Sequence, residues 1–388
     1  MSRPLLNRNL AGLGTTIFAE MSELAVATGS VNLGQGFPDT DGPHVIAQAA
    51  ADAIMSGRGN QYPPGAGIAE LRTAIAVHQR RFYDLAVDPD SEVLVTAGAT
   101  EAIAASLLAL VEPGDEVIAF EPYYDSYAAC IAMAGGVRVP VTLRAPDFRP
   151  DLDALRAAIT DRTRLILLNS PHNPTGSVFS RDELATIAEL AISRDLLVIS
   201  DEVYEHMVFT GEHVPIASLP GMRERTVTIS SAAKTFSFTG WKIGWITATS
   251  DLVTAVRTVK QFLTFVSGGP FQYAIAEALA LPDDYFRSVS GGLAGRRDLM
   301  IDGLAAAGFE VYRPAGTYFI TTDIRPFGEV SGLDFCRKLP HKAGVVAIPS
   351  AVFYDNAGEG QFHVRFAFCK KEEVLKEALN RLSALRSG

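Results

Sequence analysis

A chain of 388 residues, 48% hydrophobic and 20% charged, is long enough to bury a sizeable core and to divide into two or three domains. Its net charge of −10 and isoelectric point near 5.3 exclude a general nucleic-acid binder or a protein drawn to anionic membranes, since both need a basic surface. Three dispersed cysteines, Cys130, Cys336 and Cys369, form neither a disulfide framework nor a zinc knuckle, so no metal is expected. With no apolar run of about 18 residues and no apolar leader core at the N-terminus, the expectation is a soluble, unprocessed, cytoplasmic protein.

In chain order, residues 1–42 include most of the Gly-rich stretch VNLGQGFPDTDGP. This segment is too short to fold alone and is expected to join a smaller C-terminal domain or to close over a site. From 43 to 282, seven short apolar runs recur with helix-like segments between them: EVLVTA, DEVIAFEP, RVPVTL, RLILLNSP, LLVISDE, TVTISS and IGWITA. Such runs, bounded by turn residues and separated by periodic helices such as SRDELATIAELAISRD, predict an α/β domain with a mostly parallel seven-stranded sheet flanked by helices. Beyond Pro282 come a long helix through RRDLMIDGLAAAG, alternating strands FEVY, TYFITT, VVAIP and FHVRFAF, and a last helix, KKEEVLKEALNRLSAL. The alternation predicts a half-exposed sheet covered on one side by helices, hence a smaller α+β domain over 283–388.

Ligands gather at the carboxyl ends of parallel strands, and polar residues cluster there in this chain. After EVLVT, a tight turn at Gly98 opens the helix ATEAIAASLLAL, whose free N–H groups and Thr100 hydroxyl suit a phosphate, though an ordinary capped turn reads the same way. Asp201 ends LLVIS, with Tyr204 three residues on; a buried carboxylate needs a partner, either a cationic ring nitrogen or an arginine. The PHNPTG turn presents Asn173, although taken alone it reads as a plain strand-to-helix turn. In SSAAKTFSFTGWKIGWITA, Lys234 stands among small residues after one strand and Lys242 precedes the next; on these residues alone Lys234 reads as a solvated loop lysine. Arg365 interrupts FHVRFAF, as a bidentate carboxylate clamp or a structural salt bridge. Together these groups match the needs of pyridoxal phosphate: a lysine to form an imine, donors for the phosphate, an acid for the pyridinium nitrogen and an aromatic face for the ring.

The ordered motifs NQY, GATEA, PYYDSY, PHNPTG, SDEVY, SSAAKTFSFTGWKIG and VRF resemble the class I aminotransferases of fold type I over nearly the whole chain. The resemblance implies that Lys234 is the imine-forming base, that Asp201 is the pyridinium partner, and that Asn173 and Tyr204 donate to the ring's phenolic oxygen. It puts Gly98, Ala99, Thr100, Ser231 and Lys242 at the phosphate of pyridoxal 5′-phosphate, with Tyr62 reaching in from the partner subunit of a homodimer. Tyr124 matches the ring-stacking aromatic and Arg365 the clamp on the substrate α-carboxylate, while Gly36, Phe18 and Asn173 line the substrate pocket. The implied reaction is transamination between an L-amino acid and a 2-oxo acid, both small molecules, with glutamate and 2-oxoglutarate as one pair, a larger or apolar amino acid or N-succinyl-diaminopimelate as the other, and no nucleic-acid or membrane partner.

LGQGFPD, SDEVYEH and KTFSFTGWKIGW are similar to the branch of kynurenine, glutamine and methionine aminotransferases, and more so to actinobacterial N-succinyl-diaminopimelate aminotransferases. FLTFVSGGPFQYA lacks the arginine that the aspartate branch carries there. The rival readings are a β-lyase on the same scaffold, which substrates with a leaving group would reveal, and a cofactor-binding regulator, which the absence of a basic segment disfavours. Neither GxGxxG nor GxxxxGK[ST] occurs, which disfavours a nucleotide site.

Overall fold

The computed structural model describes residues 5–11 and 16–387. Its strands are β1 (Val31–Asn32), β2 (Val93–Thr96), β3 (Glu116–Glu121), β4 (Val137–Thr142), β5 (Thr163–Asn169), β6 (Leu197–Asp201) and β7 (Thr226–Ser231). They continue with β8 (Gly244–Thr247), β9 (Glu310–Tyr312), β10 (Phe319–Asp323), β11 (Val345–Val346), β12 (Ile348–Pro349) and β13 (His363–Ala367).

The seven apolar runs form one seven-stranded sheet in the order β2-β8-β7-β6-β5-β3-β4. Pairing is parallel from β7 through β4, whereas β8 runs antiparallel to both β7 and β2. Helices sit on both faces, so β2, β3, β7 and β8 are buried at every position and read as continuous apolar runs; β5 exposes only Arg164, and the edge strand β4 is the least buried. The helix Arg181–Ser193 starts at a capping box in which Ser180 and Glu183 each satisfy the other's backbone N–H. The direction of β8 places its first residue, Gly244, opposite both Thr96 and Ser231. The ends of three strands thus meet at one rim.

A second sheet, β12-β13-β10-β9, is antiparallel, and β1 pairs in parallel with β11, which joins the N-terminal segment to the C-terminal part of the chain. The half-exposed sheet expected from the alternation is not what forms. β10 and β13 are buried at every position. Ile320, Val364 and Phe366 pack with Leu339 and Leu375 of the covering helices, while Phe319 and Arg365 turn towards the N-terminal loop and the large sheet. Among the described residues, no helix is long and apolar enough to cross a membrane.

Candidate active site

The site grows from the rim where β2, β7 and β8 meet. The helix Gly98–Leu110 begins directly after β2, with no side-chain cap on its first turn from Ala97; instead Glu101 folds back to accept from the Ala97 N–H at 2.6 Å. Gly98 has φ of +76° and lies so near Lys242 that a Cβ there would stand 3.2 Å from its Nζ. A Cβ on Gly244 would come within 2.6 Å of the Gly98 carbonyl carbon. Both positions therefore need glycine for close approach. The product is a helix N-terminus with free N–H groups beside the Thr100 and Ser231 hydroxyls and a lysine ammonium, which is an anion cradle.

Next along the sheet, Asp201 ends β6, only 4% exposed. It accepts from Tyr127 Oη at 2.6 Å and from the Val203 N–H at 3.4 Å. Burial raises its carboxyl to about 6, against the pull of those hydrogen bonds and of the Lys234 charge. Asn169, at the end of β5, donates to the Asp201 carbonyl at 2.8 Å and accepts from the Asn173 N–H at 2.8 Å, so one side chain locks both strand ends.

Lys234 follows β7 in the short helix Ala232–Thr235. Its amine lies 5.9 Å from the ring centres of both Tyr204 and Tyr318. Burial lowers its pKa, and Lys242 and Arg365 lower it further, while Cys369 and Asp201 act the other way. A less basic amine can give and take a proton near neutral pH. Burial also pushes the Tyr204 hydroxyl well above its ordinary value. Tyr318 donates to the Gly36 carbonyl at 2.6 Å, and a Cβ on Gly36 would strike the Phe319 ring at 2.4 Å, so the N-terminal loop lies directly on β10.

Arg365, 2% exposed, donates from Nη1 to Asn173 Oδ1 and from Nη2 to the Gly34 carbonyl, each at 3.0 Å. Its Nε is buried with no acceptor. Its guanidinium carbon sits 4.1, 5.0 and 5.3 Å from the rings of Phe319, Phe353 and Phe18. Burial lowers its pKa to about 10. Among the described residues no carboxylate comes within 4.0 Å of it, so the structural salt bridge left open by the sequence is not formed. A buried cation with a spare donor, facing a cavity, is a site for a carboxylate that arrives from outside.

Lys234, Lys242, Asp201, Asn173, Tyr204 and Arg365 line one cavity of about 330 Å³. Every residue expected at the site from the sequence lines it, with the exception of Tyr62. That side chain is 83% exposed in the Gly59–Pro63 loop, edge-on to Phe265 at 5.6 Å, outside the cavity of its own chain. Sequence reasoning did not single out Tyr127, Asn169 or Phe319. Tyr127 was within reach, three residues after Tyr124 in PYYDSY and thus on the same side of a helix start.

The donor set fits pyridoxal 5′-phosphate: a glycine-lined cradle for a phosphate, a buried carboxylate for a ring nitrogen, an amine of lowered basicity and a separate carboxylate clamp. The family description "Aminotransferase class I and II" matches residues 28–382. A probable N-succinyldiaminopimelate aminotransferase of Mycobacterium tuberculosis is 54% identical over 96% of each chain. The methionine aminotransferase of Escherichia coli is 39% identical over 99% of this chain and all of its own. Among solved structures, an N-succinyldiaminopimelate aminotransferase from M. tuberculosis superimposes with a TM-score of 0.96 at 53% identity, covering 98% of this chain and 100% of that one.

Proposed function

Because the chain belongs to the class I and II aminotransferases, and is therefore a pyridoxal-phosphate-dependent enzyme, we propose that it moves the amino group between glutamate and the 2-oxo acid corresponding to N-succinyl-LL-diaminopimelate. The relative at 54% identity supports that substrate, and the unpaired Arg365 in the cavity is the observation that carries the amino-acid site. Bound cofactor supplies an electron sink that makes the substrate's α-proton acidic. Lys234, kept less basic by burial, would be the base that takes up that proton and gives it back. Asp201, anchored by Tyr127, would hold a cofactor ring nitrogen protonated, and Asn173, Tyr204 and Tyr124 would be the residues that hold the ring. Gly98, Ala99, Thr100, Ser231 and Lys242 hold the phosphate. Arg365 fixes the α-carboxylate, with Phe18 and Gly36 shaping the pocket around it.

This reading includes a homodimer in which Tyr62 serves the neighbouring site, since it is exposed and lies outside its own cavity. It also places the enzyme in the cytoplasm, where three buried free cysteines stay reduced. A second reading, a methionine- or kynurenine-type donor, is favoured by the aromatic lining of Phe18 and Phe319 and by the methionine aminotransferase relative. A donor panel with 2-oxoglutarate decides between them. The proposal expects the highest kcat/KM for N-succinyl-LL-diaminopimelate; a higher value for methionine or kynurenine would replace it, and pyruvate release from cysteine conjugates as the main reaction would make the enzyme a β-lyase.

A further inference from the structure

Behind the large sheet, on the face away from the cavity, lies a cluster that transamination does not use. Successive residues of β7 point to opposite faces. Ser231 lines the cavity, and Ser230 donates to Glu205 on the other side. Glu205 and His206 follow β6, and His78 comes from the helix Ala69–Tyr83. One ligand atom from each of the three lies within 4.8 Å of the others, and the two histidines face one another with Nε2 atoms 2.7 Å apart.

We propose that His78, His206 and Glu205 form a binding site for a divalent cation of the zinc type. Two imidazoles and one carboxylate are a zinc donor set. Glu205 is buried, yet its hydrogen-bond partners are two neutral hydroxyls, Tyr83 Oη at 2.6 Å and Ser230. Among the described residues no lysine or arginine lies within 4.0 Å of it; Arg81, whose charge is felt at His78, is turned to Asp283 and the Leu281 carbonyl. His213, the buried imidazole whose charge reaches Glu205, is hydrogen-bonded to Glu202 at 2.8 Å, and a metal ion would give the Glu205 carboxylate a cation of its own. The two hydroxyls then act as the outer hydrogen bonds that orient a ligating carboxylate.

Two buried polar atoms of this region also have no partner: His78 Nδ1 and the Nε1 of Trp245, a residue that borders the same small gap as the three ligands. On a tetrahedral ion bonded at about 2.0–2.1 Å the two nitrogens would stand about 3.3 Å apart, so the rings must part by a few tenths of an ångström. The sequence gives no warning of the site, because His78 lies 128 residues before His206. A cation there would tie the helix Ala69–Tyr83 to the loop that leads out of Asp201 and Tyr204, making it a structural clamp on the catalytic loop from behind.

The test uses untagged holoenzyme, stripped with a chelator, loaded with zinc chloride, desalted and analysed for metal by mass spectrometry, with thermal melts alongside. The expected result is one zinc per chain in wild type and a melting temperature that rises with zinc, both lost in His78→Gln and in His206→Gln. Two separate variants guard against a folding failure in one. Wild type that holds no more zinc than the variants, or melts unchanged by zinc, overturns the site and leaves the pair as an imidazole–imidazole hydrogen bond.

Discussion

Arg365 Nη1 donates to Asn173 Oδ1 at 3.0 Å, joining residues 192 apart in the chain, from β13 of the small sheet and the turn after β5 of the large one. This bond and the one from Nη2 to the Gly34 carbonyl set the guanidinium plane, and Nε is left without an acceptor. Replacing the fork with a point charge removes that geometry. Arg365→Lys is predicted to raise KM for every amino donor while leaving the cofactor's absorbance in place. A charged hydrogen bond is worth about 1.5–3 kcal/mol, which corresponds to about 10- to 150-fold at about 1.4 kcal/mol per decade. Steady-state kinetics with two donors checks this, and unchanged KM would assign Arg365 to packing alone.

Asp201 makes a prediction about pH. Its carboxyl sits at about 6 in the folded chain against an ordinary value of 3.8, because of burial. Between those values the folded state binds the proton more tightly than the unfolded one, so stability of the cofactor-free protein falls as pH rises through that window and levels off above it. Asp201→Asn lacks this titration. The cofactor-free variant should therefore gain on cofactor-free wild type as pH rises from 4 to 7, by about 3 kcal/mol at most, while losing most turnover when loaded. Urea melts of the two cofactor-free proteins across that range measure it. Parallel curves would mean that folding does not raise the Asp201 carboxyl above its ordinary value.

Tyr62 is expected to act across the dimer. Mixing Lys234→Ala subunits with Tyr62→Ala subunits yields heterodimers with one doubly defective and one intact site if Tyr62 serves its neighbour. Activity at limiting cofactor then exceeds that of either parent. A heterodimer verified by differential tags, yet without recovered activity, would falsify the shared site.

Much of the large sheet was legible because buried parallel strands appear as short apolar runs between periodic helices. The reversal of β8 was not, since an apolar run such as IGWITA carries no mark of direction. Alternation in FHVRFAF suggested an exposed face, but the outward residues, Arg365 among them, meet the N-terminal loop and the large sheet, partners that no local pattern encodes. β1 is two residues long, set by pairing with β11 and by nothing in its own composition. At the site, Lys234, Asp201 and Asn173 stand at or just past strand ends and Arg365 inside an apolar strand, and it is the resemblance to the aminotransferases, more than any one of them alone, that singled them out. Tyr127 and Asn169 act by hydrogen-bonding those residues, and such partners emerge only once the strands are side by side.

The central claim is that Lys234 is the amine that holds the cofactor and moves the proton. Borohydride reduction of the yellow holoenzyme, digestion and peptide mapping by mass spectrometry test it most directly. The account predicts a pyridoxyl group on the peptide containing Lys234. A label on Lys242, Lys260 or any other lysine would contradict it and displace the cofactor from the cavity described.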